Sequence, residues 1–96
     1  MRNSNEKSLK EVIGELVSTY KLKAKLGEVR IAESWEKVMG KVIANRTSEL
    51  FVRNKTLFVK INSAPLKSEM HFSKANIIKM LNDEVGDQVI NEIVLL

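Results

Sequence analysis

Ninety-six residues, 44% of them hydrophobic and 29% charged, supply one modest core and no second domain. The absence of cysteine excludes disulfides, thiolate nucleophiles and cysteine-based zinc sites, and no apolar run reaches membrane-spanning length or follows the polar start Met1 to Ser8 as a signal peptide would, so a cytoplasmic protein is expected. The net charge of +4 is unevenly spread: residues 1–79 hold all 16 Lys and Arg and net +8, residues 80–96 net −4, and the basic part makes nucleic acid or an acidic protein surface the first partners to consider.

Residues 1–7 are expected to be disordered and 8–96 to form one domain. Ser8 followed by Glu11 is a capping box, and Leu9, Val12, Ile13, Leu16, Val17 and Tyr20 then recur at helical spacing. From Tyr20 to Gly27 lysines alternate with apolar residues before a glycine, which predicts a basic connection between two helices. The second helix is predicted from about Glu28 to Asn45 on the spacing of Ile31, Ala32, Trp35, Val38, Met39, Val42 and Ile43, with Gly40 either inside it or ending it. Leu50–Arg53 and Thr56–Ile61 read as strands joined by a two-residue turn, Asn54-Lys55. Pro65 suits the first turn of a third helix, the longest, whose residues Leu66, Met70, Ile77, Leu81 and Val85 repeat as far as Gly86. The β-branched tail Gln88–Leu96 favours a last strand. The predicted order is ααββαβ, an α+β unit with a three-stranded sheet packed against helices.

Catalytic chemistry is hard to find in this chain. His71 has no second ligand three or four residues away, and Asp83, Glu84 and Asp87 miss the spacing of a calcium loop and suit a solvated helix end. Gly14, Gly27, Gly40 and Gly86 stand too far apart for a phosphate loop or the GxxG clamp of ordinary KH domains. No enzyme, metal or cofactor is therefore expected, and binding surfaces become the candidates. Lys21, Lys23, Lys25 and Arg30, read as largely on a loop, are suited to neutralising phosphates, against the plainer reading of a solvated loop. In the hairpin, if Leu57, Val59 and Ile61 point inward with Leu50 and Val52, then Phe51, Arg53, Phe58 and Lys60 share the opposite face. Rings interleaved with cations grip single-stranded nucleic acid by stacking bases and tracking phosphates. The competing reading is that another helix, or the partner in a homodimer, covers Phe51 and Phe58. Trp35, in the middle of an amphipathic helix, is assigned to the core.

The run Trp35-Glu36-Lys37-Val38-Met39-Gly40-Lys41-Val42-Ile43-Ala44-Asn45-Arg46-Thr47 resembles the signature of the DciA family, in which a Trp is followed five residues on by Gly and then by an apolar-Ala-x-x-Thr pattern. Thr56-Leu57-Phe58-Val59-Lys60-Ile61 is similar to the family's second hairpin strand, Ser68-Glu69-Met70 stands where a Glu-Leu pair is usual, and Ile77 to Asn82 resembles its closing Ile-x-x-x-Leu-Asn, with Gly86, Val89 and Ile93 in register behind. The likeness runs over about residues 8–96. Departures are Asn54-Lys55 in place of Asp-Gly, Arg46 in place of a frequent histidine, and Ala64-Pro65-Leu66 in place of a tryptophan. The resemblance implies a KH-like domain of DNA replication that engages the replicative helicase DnaB, assists its loading and contacts DNA; the hairpin face makes single-stranded DNA the form expected, and the helical pattern makes Trp35 and Gly40 structural residues. The alternative is a KH-like RNA-binding or ribosome-associated protein.

Overall fold

A computed structural model describes residues 8–96. In chain order it contains α1 (Leu9–Met39), α2 (Lys41–Asn45), β1 (Thr47–Arg53), β2 (Thr56–Ile61), α3 (Ala64–His71), α4 (Lys74–Val85) and β3 (Glu92–Leu95). The sheet order is β1-β2-β3, with β1 antiparallel and β3 parallel to β2. The expected α+β class and three-stranded sheet are present. The predicted disorder of residues 1–7 lies outside the described residues.

The first half of the chain departs from the sequence reading. The basic connection does not exist: Tyr20 to Gly27 are helical, and α1 runs unbroken for 31 residues. Lys, Leu and Ala are all good helix formers, so the alternation at 21–26 carries no penalty, and Gly27 alone costs about 1 kcal/mol. Gly27 is there for proximity. A Cβ at this position would stand 2.9 Å from a γ carbon of Val89, so the glycine lets the 86–89 turn lie against the helix. Ser8 caps α1 by accepting from the Glu11 amide at 3.1 Å. The other end is set by Gly40, whose φ of 88° ends α1 and lets the chain restart as α2, so the helical period does not pass through it.

The third predicted helix is two. Ser63 caps α3 by accepting from the Leu66 amide, and the helix breaks at Phe72-Ser73 before α4 resumes. The longest helix is therefore α1. Strand β1 starts at Thr47, three residues earlier than predicted, with a register shift between Thr47 and Glu49. Strand β3 is shorter than predicted, because Val89 and Ile90 belong to the turn before it. Asn54 and Lys55 both take positive φ, the geometry of a type I′ hairpin turn whose twist suits the flanking strands.

Ile31 and Trp35 of α1, Leu57, Val59 and Ile61 of β2, Met70 of α3, Ile77 and Leu81 of α4, and Ile90 and Ile93 form the buried core. Two polar devices lock it. The Trp35 indole N–H donates to Thr47 Oγ1 at 3.0 Å, and the Thr47 hydroxyl donates to the Ile43 carbonyl at 2.7 Å, which ties α1, α2 and β1 together. Buried Asn82 accepts from the amides of Val89 and Ile90 at 3.0 and 3.1 Å and donates to the Ile90 carbonyl at 2.7 Å, holding the turn that leads into β3.

Candidate nucleic-acid interface

Alternation along the hairpin sends Leu57, Val59 and Ile61 of β2 into the core and turns Phe51, Arg53, Phe58 and Lys60 to the opposite face. Phe51 and Phe58 are direct cross-strand partners, and their rings stack with centroids 4.9 Å apart and planes 11° from parallel. The Arg53 guanidinium carbon lies 5.8 Å from the centre of the Phe51 ring, a cation over its negative face. Phe51 is 39% exposed and Phe58 half-buried. Val94 of β3 is the register partner of Phe58, so the row Phe51–Phe58–Val94 crosses all three strands. Lys60, on the same face, stands in register with Glu49.

The helical cations are divided by α1. Lys25 borders a shallow depression with Phe51, Arg53 and Asn54, so it joins the hairpin face; Glu28 lies in the same depression, 3.8 Å from the Lys25 ammonium. Lys21, one turn earlier, lies on the same flank as Lys25. Lys23 points into a different notch, between α1 and the 86–89 turn, which also contains Lys55 and Asp87. Arg30, seven residues on from Lys23, shares that flank. Four cations expected to act together thus fall on two sides of a helix, because they sit on regular helix and not on a flexible loop.

The sequence reading missed a second recess. The break between α3 and α4 leaves Phe72 85% exposed, with the His71 ring edge-on to it at 5.9 Å, and together with Lys67, Lys74, Val94 and Leu95 they line a groove along the outer edge of β3. Val94 belongs both to this groove and to the row begun by Phe51 and Phe58, so the apolar track of the sheet face leads over its edge. Continuous helical spacing across residues 66–85 concealed the break that exposes these rings.

Two of the four acids of the last part of the chain are engaged in ion pairs, while Asp87 borders the notch beside α1 and Glu92 stands on β3 in register with Thr56. Glu84 accepts from Lys37 at 2.7 Å, fastening α4 to α1, and Asp83 accepts from Lys79 at 2.8 Å. That hydrogen bond, with the charge of Asp83 behind it, raises the Lys79 ammonium pKa above its ordinary value. Among the described residues no three acids or histidines stand together to hold a metal ion, and no helix is long and apolar enough to cross a membrane.

A mixed three-stranded sheet covered on one face by helices, with an α-turn-α unit between its parallel strands, is a KH-like α+β arrangement. The chain belongs to the DciA family: the family model described as Dna[CI] antecedent, DciA, matches residues 8–95. No curated protein sequence matches it. The family places the chain in bacterial DNA replication and helicase loading, with a replicative helicase as its kind of partner. The residues that carried the likeness have structural work here: Trp35 and Thr47 bond to each other, Gly40 turns the chain, and Asn82 holds the 89–90 turn.

Proposed function

We propose that this protein is a non-enzymatic cytoplasmic accessory of the replicative helicase DnaB, which it engages and helps to load while its open sheet face contacts single-stranded DNA. The observation that carries the DNA contact is the stacked Phe51–Phe58 pair, flanked by Arg53 and Lys25 and continued by Val94. Parallel rings at the sheet surface offer a platform for bases, and the neighbouring cations are placed to neutralise phosphates. The edge groove with Phe72, His71, Lys67 and Lys74 extends that platform. Lys21 supports the path along the same flank of α1, whereas Lys23 and Arg30 lie away from it.

Light scattering on size-exclusion fractions of the chain mixed with the DnaB of its own organism, with and without single-stranded DNA, tests the reading. A stable complex whose recovery increases with DNA is the expected result. No complex across a range of salt and nucleotide conditions, together with tighter binding to single-stranded RNA than to DNA, overturns it in favour of an RNA-binding protein.

A further inference from the structure

The N-terminal half of α1 runs clear of the core with an uncovered apolar stripe. Leu9, Ile13, Leu16, Val17 and Tyr20 are all exposed, Leu9 at 76%, Leu16 at 65% and Tyr20 at 63%. They are not scattered. Leu9, Tyr20 and Ile31 are eleven residues apart, as are Ile13, Ala24 and Trp35, and an eleven-residue step makes 3.67 residues per turn, close to the helix's own 3.6. The stripe therefore lies on the same side of a straight helix as Ile31 and Trp35, which are buried in the core. Half of one continuous apolar face is covered by this chain's own sheet and α4, and the other half is bare. The molecule is correspondingly long, 69 Å against 21 and 20 Å.

We infer that this stripe is the contact surface of a homodimer in which two α1 helices pack antiparallel. The stripe with its flanking atoms offers on the order of 700 Å² per chain, close to the ~800 Å² per partner of a standard interface and more than monomers usually leave bare in one patch. A second copy suits it because the surface is self-complementary: a two-fold axis near residues 14–15 sets Leu9 against Tyr20 and Ile13 against Leu16, with no charged residue inside the stripe. Only the antiparallel arrangement is open. The sheet and α4 occupy the apolar side of α1 from about Gly27 onward, so parallel helices would drive the two cores into each other. In the antiparallel pair each core lies beyond the other helix's N-terminal end. The hairpin face is left free, so the dimer stands independently of the proposed DNA contact there.

Sedimentation equilibrium of the full chain over a hundredfold concentration range reads the outcome directly. The expected mass is twice 10.9 kDa at the upper end, and Ile13→Glu with Leu16→Glu returns it to 10.9 kDa while the far-ultraviolet circular dichroism of the helices is retained. Because the chain has no cysteine, orientation is read by oxidation: Leu9→Cys with Tyr20→Cys cross-links to a dimer and Leu9→Cys alone does not. A 10.9 kDa mass at every concentration overturns the dimer, and ready cross-linking of the single Leu9→Cys variant overturns the antiparallel packing.

Discussion

Asn82 makes three hydrogen bonds from inside the core, and each of its partners is a backbone group of a turn that has no ladder of its own. Asn82→Ala leaves the amide and carbonyl of Ile90 without their partner, while the Val89 amide keeps the Asp87 carbonyl at 3.1 Å, and each buried orphan costs about 1–3 kcal/mol, partly relieved where the turn can open to water. A loss of roughly 3 kcal/mol in urea unfolding is expected, and a change below about 1 kcal/mol would show that the turn is held by Ile90 and Ile93 alone. Glycine supplies a second contrast at this scale. Gly14 has nothing within 4 Å of where a Cβ would stand, so Gly14→Ala stabilises the helix by about 0.5–1 kcal/mol. Gly27→Ala brings the same helical gain but meets Val89 at 2.9 Å, and overpacking of this kind costs about 1–3 kcal/mol, so its unfolding midpoint moves the opposite way. The sequence offers Gly27 as a break between helices; only the fold shows that it lies inside one and touches a turn some sixty residues on.

Among the elements, the hairpin was legible because its signals are local. Alternation fixed the faces of β2, and a two-residue gap between strands left a type I′ turn as the favoured link. Lys55 occupies a left-handed position there, with φ of 60°, which costs an ordinary residue about 1 kcal/mol; Lys55→Gly is expected to raise stability by about 0.5–1 kcal/mol in thermal unfolding, and a drop would mean that the Lys55 side chain holds the notch beside α1. The helices were less legible, for opposite reasons. At Tyr20–Gly27 a glycine suggested a break that good helix formers carry through, and at Phe72-Ser73 an unbroken apolar period hid a break that no glycine or proline marks. Both outcomes depend on what packs against the helix, the 86–89 turn in the first case and the edge of β3 in the second. The exposed rings follow from the same geometry. Phe58→Ala removes half of the Phe51 stack without touching the core, so single-stranded DNA affinity is expected to fall by about 5- to 100-fold with the circular dichroism unchanged, as loss of one stacking platform requires. Equal affinity for wild type and variant in a fluorescence-anisotropy titration would take the sheet face out of the binding path.

For the whole molecule, charge is arranged more unevenly than composition implies. The last part of the chain is acidic, and its acids are spread out: Glu84 and Asp83 pair with Lys37 and Lys79, Asp87 borders the notch beside α1, and Glu92 stands on β3. What the field offers a polyanion depends on position. Lys25 and Arg53 border one depression beside the rings, while Arg30 lies on the far flank of α1. Each phosphate neutralised on a single strand contributes about −0.7 to the slope of log affinity against log salt. Lys25→Gln and Arg53→Gln are therefore each expected to flatten that slope by roughly 0.7, and their combination by roughly twice as much, since the two cations would release separate counterions. Arg30→Gln removes the same unit charge from the same chain and should leave the slope where it was. Equal flattening by all three changes would mean that the net charge of the molecule, and not a track across the sheet, holds the nucleic acid.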